Sequence, residues 1–146
     1  MHEQTILVVE DNPDHLELTL LTLQEQSIRN EIAVAHDGVE ALNYLFGEGL
    51  HAGRDTTRQP DLVLLDLKLP KLTGLEVLQR MRADPRTAVV PVVVLTSSSE
   101  EEDIVAVYRS GANSFVRKPV DFVDFTEKLR QVKTYWLSVN ECRPLN

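Results

Sequence analysis

Three runs of consecutive apolar residues in this chain end on polar side chains. Ile6-Leu7-Val8-Val9 runs into Glu10 and Asp11, Leu62-Val63-Leu64-Leu65 into Asp66, and Val92-Val93-Val94-Leu95 into Thr96. Such runs lack the alternation of a half-solvated strand and read as strands buried on both faces, the pattern of a parallel sheet. Pro70 follows Asp66 closely, and a residue without an N–H cannot continue a central strand. A shorter run, Phe115-Val116-Arg117, leads to Lys118 and Pro119. Each strand therefore delivers a functional group to the sheet's carboxyl edge, where open α/β sheets bind ligands.

A lone Asp at such an edge is ordinarily a turn or cap residue. Two acids, a third acid, a hydroxyl and an amine brought to one crevice ask for a chemical reason. Clustered carboxylates repel unless a cation is present. Hard oxygen donors with room for water suit Mg²⁺, or Mn²⁺ in its place. A Lys and a Thr beside a metal-bound carboxylate suit a transferred phosphoryl group.

Helical patterns fill the spaces between these strands. Asn12-Pro13 reads as a cap followed by the favoured first helical position, with Leu16, Leu20 and Leu23 expected to face the sheet. A mixed-polarity strand over about Glu31 to Ala35 reads as an edge, and Asp37-Gly38 opens a helix bearing Val39, Leu42, Leu45 and Phe46. Gly74 precedes a helix with Leu75, Val77, Leu78 and Met81, which Asp84-Pro85 ends. The acids at 100–103 suit the positive end of the next helix. The last helix starts near Asp121 and runs to about Ser138, with Phe122, Phe125, Leu129, Val132 and Trp136 in one stripe and Val123 and Tyr135 off it. Strand–helix alternation of this kind builds a parallel sheet with right-handed crossovers. One stretch breaks the rhythm: residues 47–60, rich in Gly and polar residues, read as a long surface loop, either functional or merely mobile. Its His51 reads as a solvated residue.

At 146 residues the chain is expected to form one domain, with a core over about 5–135, a helix extension and tail over 136–146, and no output module. A net charge of −8 argues against autonomous nucleic-acid binding, which needs a basic face. No apolar run has spanning length, and Met1-His2-Glu3-Gln4 leads straight into the first strand, so no membrane association and a cytoplasmic location are expected. The single Cys142 cannot form an internal disulfide and reads as an inert tail residue.

Glu10-Asp11, Asp66, Thr96 and Lys118-Pro119, in this order, resemble the receiver domain of two-component response regulators over about Thr5 to Tyr135. That resemblance implies a flavodoxin-like, doubly wound (βα)5 fold with strand order 2-1-3-4-5. It implies Asp66 as phosphoacceptor, Asp11 and Asp66 as ligands of Mg²⁺ (or Mn²⁺), the backbone carbonyl of Lys68 as a further ligand, and Glu10 acting through a metal-bound water or by orienting its neighbour. Lys118 would pair with Asp66 at rest and with the phosphoryl group afterwards. Thr96 would be the switch hydroxyl and Phe115 the aromatic switch, here lacking the hydroxyl of the more usual Tyr. Lys68 and Ser98 occupy the positions that tune dephosphorylation. The donor would be a sensor histidine kinase. The Leu-Asp-Leu-Lys-Leu-Pro-Lys run, the long loop and the extended last helix look like the single-domain regulators paired with bacterial phytochromes, which form homodimers through the fourth and fifth helices and fifth strand. Tyr135, Trp136 and Val139 would extend that interface, unless the tail folds back on its own domain. The same site would serve a phosphorelay intermediate or phosphate sink feeding a histidine phosphotransfer protein. A phosphatase on this strand order would carry a second Asp two positions after the nucleophile; Lys68 stands there instead.

Overall fold

The computed structural model describes residues 4–25, 30–98 and 100–143. Five strands form where the sequence predicts them: β1 (Gln4–Val9), β2 (Asn30–Ala35), β3 (Leu62–Asp66), β4 (Val92–Thr96) and β5 (Ser114–Arg117). All pairings are parallel and the order is β2-β1-β3-β4-β5. The flanking helices are α1 (Pro13–Gln24), α2 (Gly38–Phe46), α3 (Gly74–Ala83), α4 (Glu101–Arg109) and α5 (Phe122–Thr134). This is the flavodoxin-like doubly wound fold.

Because residues along a strand point alternately to the two faces, the sheet has two cores. Leu7, Val9, Val63, Leu65, Val92 and Val94 meet α2, α3 and α4 on one side. Ile6, Val8, Leu62, Leu64, Val93 and Leu95 meet Leu23, Phe125, Leu129 and Leu137 on the other.

Local chemistry sets where each helix begins. The Asn12 side chain accepts from the Asp14 and His15 amides, so α1 starts within hydrogen-bond reach of the end of β1. Thr73 and Glu76 form a reciprocal capping box at the start of α3. Gly74 is required by proximity: a Cβ there would lie 2.2 Å from the Asp66 carbonyl oxygen and 2.8 Å from the Leu67 Cα. The backbone of α3 thereby comes directly against the end of β3, which is where the candidate acceptor sits.

Three packing expectations change. Thr19 and Thr22, rather than Leu20, are buried on α1; their hydroxyls return hydrogen bonds to the His15 and Leu18 carbonyls, so their burial leaves nothing unpaired. Val39 on α2 and Phe122 on α5 are exposed. The last helix ceases to be α-helical at Thr134 and continues as a π-helical turn over Tyr135–Val139. That turn brings Leu137 into the core with Trp136 packed beside it, and leaves Tyr135 and Val139 exposed.

The 47–60 loop is built rather than loose. The Arg54 guanidinium donates to the Tyr44 carbonyl (2.6 Å) and the Arg58 carbonyl (2.9 Å) and stacks over the Tyr44 ring. It thereby closes the loop on the carboxyl end of α2, where helix carbonyls lack intrahelical donors. The tail returns to the same end of the sheet, with Arg143 donating to the Pro60 carbonyl at 2.8 Å and the Gln4 amide reaching the Cys142 sulfur at 3.1 Å.

Candidate functional site: an acidic crevice around a buried lysine

The carboxyl ends of β1 and β3 place Glu10, Asp11 and Asp66 together, with one oxygen of each within 4.8 Å of the others. Glu10 is buried and Asp11 exposed. The Lys118 side chain enters from the end of β5, its Nζ bonded to Glu10 Oε1 and 3.0 Å from Asp66 Oδ2. Its backbone N–H donates to the Thr96 carbonyl at 2.8 Å, so the end of β4 fixes where the amine emerges. The other Asp66 oxygen accepts from the Lys68 amide at 3.3 Å. Asp66 is thus held from both sides by donors, one of them a full positive charge.

Glu10 is the electrostatically unsettled member. Burial raises its pKa to about 7, proximity to Asp66 adds to the rise, and Lys118 opposes it. Two carboxylates and one ammonium leave a net negative charge in a largely buried site, and a proton or a cation relieves it. Hard carboxylate oxygens converging beside solvent fit a divalent ion such as Mg²⁺ or Mn²⁺. A cleft of about 540 Å³ opens beside Asp11 and Lys68 and runs between Thr73, Asp103 and Val107.

Thr96 is buried at the end of β4, and its Oγ accepts from the Ser98 amide at 3.2 Å. Ser98 in turn donates to Asp103 on α4 at 2.5 Å. The loop that would carry a moving hydroxyl is therefore fastened to the first turn of α4. Phe115 packs half-buried against the core on the α3–α4 side of the sheet. The phenol absent from its ring is present on α4: the Tyr108 hydroxyl accepts from the Phe115 backbone amide at 3.2 Å. Among the described residues β5 has a neighbour on one side only, so this contact ties its free edge to α4. Tyr108→Phe is expected to speed exchange of the Phe115 amide about fivefold, the worth of one hydrogen bond of about 1 kcal/mol. Hydrogen-exchange mass spectrometry over 113–118 checks it, and unchanged protection would remove the tie.

The structure brings Glu10, Asp11, Asp66 and Lys118 into one cluster, with Thr96 at the adjoining strand end, as the sequence predicts. It adds a residue the sequence did not reveal. His15, in the first turn of α1, places Nδ1 3.1 Å from Lys118 Nζ. Burial, with Lys118 beside it, lowers its pKa. The only sequence-level signal was a titratable residue four positions after Asp11.

Comparison with known proteins finds likeness along most of the chain. The response regulator receiver domain profile matches residues 6–130. Response regulator Rcp1 of Synechocystis sp. is 33% identical over 92% of this chain and 89% of its own. The Mn²⁺-bound form of Rcp1 superposes with a TM-score of 0.90 at 31% identity, covering 97% of this chain and 99% of that one. The phosphorylated cyanobacterial phytochrome response regulator RcpA gives a TM-score of 0.92 at 34% identity over 98% and 100%. The bacteriophytochrome response regulator AtBRR is 46% identical over the whole of both chains, with a TM-score of 0.76. On fold, crevice and likeness together, this chain belongs to the receiver domain family of response regulators.

Proposed function

We propose that the chain is a stand-alone response regulator that takes a phosphoryl group onto Asp66 from the phosphohistidine of a sensor kinase of the phytochrome class. The observation that carries this reading is the crevice itself: three carboxylates from two strands, two of them ion-paired to a buried Lys. Likeness to RcpA, Rcp1 and AtBRR along nearly their whole lengths supports the stand-alone role and the kinase class.

In the transfer an Asp66 oxygen forms the bond to phosphorus. The phosphorus–nitrogen bond breaks, and the electron pair stays on the donor imidazole. Asp11, Asp66, the Lys68 backbone carbonyl and Glu10 through water are the groups that would hold Mg²⁺. When bound, the ion neutralises charge on the nucleophile and the phosphoryl oxygens. Lys118 shifts from Asp66 to a phosphoryl oxygen, a task suited to a flexible point charge. Thr96 turns its hydroxyl to another phosphoryl oxygen, which requires the Ser98 amide to let go, and Phe115 fills the space vacated. The Ser98–Asp103 and Tyr108–Phe115 contacts carry that movement to the face made of α4, β5 and α5. The protein acts as a signalling acceptor in the cytoplasm rather than as a turnover enzyme. Among the described residues no helix is long and apolar enough to cross a membrane. Intact mass after incubation with acetyl phosphate is the test. One phosphate, dependent on Mg²⁺, is expected; no uptake with or without the cation would overturn the reading.

The output we propose is a homodimer through α4, β5, α5 and the C-terminal turn. A groove beside the β5 edge is lined by Phe115, Arg117, Lys128, Val132, Tyr135 and Trp136. Trp136 is half-buried against its own domain and still lines this groove, and Tyr135 and Val139 are exposed. Val139→Asp, at a 65% exposed site, is expected to weaken self-association about tenfold by placing a charge in an apolar contact. An unchanged sedimentation profile would remove the tail from the interface.

A further inference from the structure

Lys118 Nζ carries three hydrogens and has three partners: Glu10 Oε1, Asp66 Oδ2 at 3.0 Å and His15 Nδ1 at 3.1 Å. Two of these are carboxylates, the same groups that a divalent cation and an incoming phosphoryl group would engage. The third is different in kind. An ammonium has only hydrogens to offer, so Nδ1 must present its lone pair and the ring proton must sit on Nε2. The ring is neutral in this contact and does not compete for the cation through that nitrogen.

His15 is also held where it is. Its backbone amide donates to the Asn12 capping oxygen at 3.1 Å, and its ring stands edge-on to the buried Phe125, with centroids 5.7 Å apart. The first turn of α1 and the core of α5 thus aim one neutral acceptor at the amine.

We propose that His15 is a positioning residue: its Nδ1 tethers the Lys118 ammonium in the crevice while Glu10 and Asp66 engage the cation and the phosphoryl group. The proposal rests on Asp66 being the phosphoacceptor. Without the tether, Lys118 loses the one uncharged partner it has among the described residues at the moment its charged partners turn elsewhere. A four-carbon stem with free rotors then has to be ordered within the transfer step itself, which slows the step.

Two arms test this. The first follows the rate of phosphate uptake from acetyl phosphate with Mg²⁺. There an Asp66 oxygen bonds phosphorus, the bond from phosphorus to the bridging oxygen breaks, and acetate leaves with the electron pair. His15→Leu keeps bulk and removes the acceptor; His15→Asn puts an amide oxygen where Nδ1 stands. The Leu variant is expected to be about tenfold slower, the worth of one charge-assisted hydrogen bond, and the Asn variant to lie within about twofold of the wild type. Equal rates in wild type and Leu variant overturn the proposal. So does an Asn variant as slow as the Leu variant, which would assign the effect to packing on Phe125. The second arm needs no phosphorylation and stands even if the Leu variant fails to fold. Long-range ¹⁵N NMR of the imidazole in the wild type should show the Nε2–H tautomer, with an Nδ1 resonance that moves when Lys118 is replaced by Met. An Nδ1–H tautomer overturns the proposal, because that nitrogen could not accept from an ammonium. A wild type that takes up no phosphate yet shows the expected tautomer and shift retires the phosphoacceptor reading and the positioning role built on it, while leaving the contact. A labelled wild type with the wrong tautomer retires the tether alone.

Discussion

Asp66→Asn is expected to abolish phosphate uptake while leaving the protein folded. The amide is close to the carboxylate in shape, and its oxygen can still accept from the Lys68 amide, as Asp66 Oδ1 does. Lys118 retains Glu10 and His15. What is lost is the nucleophile, since a neutral amide oxygen does not displace a leaving group from phosphorus at a useful rate. One of three clustered carboxylates is lost as well, which weakens the hold on a divalent ion. Uptake from acetyl phosphate with Mg²⁺, read by intact mass, should fall at least about a hundredfold, and stability should change by no more than about 1 kcal/mol. Full labelling of the Asn variant would move the nucleophile to another residue, with Glu10 and Asp11 as the neighbouring acids.

The crevice was legible in the sequence because its members stand at or just past the ends of predicted strands, most of them runs of apolar residues. Such runs fix strand identity, and the sheet edge does the gathering. The residues missed share the opposite property. His15 meets its partner 103 positions away, and nothing around it in the sequence distinguishes it from a solvated first-turn histidine. Lys133 sits among polar residues of α5, and no spacing in the sequence marks it out. It is in fact buried, its ammonium bonded to the Leu23 carbonyl and, at 2.9 Å, to the Glu25 carbonyl, where it caps the carboxyl end of α1. Only the packing of α5 on α1 reveals that role. The 47–60 segment reads as a long loop because its order comes from side-chain bonds to carbonyls and one short 3₁₀ turn (Gly49–His51), which leave no periodicity in a sequence. The tail illustrates a third limit. A three-four spacing locates the apolar stripe through Val132, but the π turn after Thr134 shifts the phase, and Leu137 rather than a stripe residue enters the core.

The metal-free protein should lose stability through Glu10 as pH rises, and Glu10→Gln should remove that loss. Glu10 has a pKa of about 7 in the fold against 4.5 for the free side chain. The folded state therefore holds this proton more tightly than the unfolded chain does. The contribution is fully present below about 4.5 and is lost as pH passes through about 7. At about 1.4 kcal/mol per unit, the loss amounts to about 3 kcal/mol. Gln mimics the protonated acid: its oxygen can accept from Lys118 and its amide can donate to Asp66, with no charge to relieve. His15, whose pKa is lowered, contributes in the opposite sense, gaining stability above its ordinary range. It is present in both proteins, so it cancels in their difference. Urea unfolding in EDTA at about pH 5 and about pH 8 isolates the Glu10 part as the change in the gap between wild type and variant, expected at about 2–3 kcal/mol. Saturating Mg²⁺ at the higher pH should restore the wild type, by about 2.7 kcal/mol at about a hundred times its dissociation constant, because the cation supplies the charge that the proton supplied. Parallel pH profiles for the two proteins would mean that Lys118 alone balances Glu10. The buried acid would then be a plain ion-pair partner, and the drive to bind a divalent ion would have to come from Asp11 and Asp66.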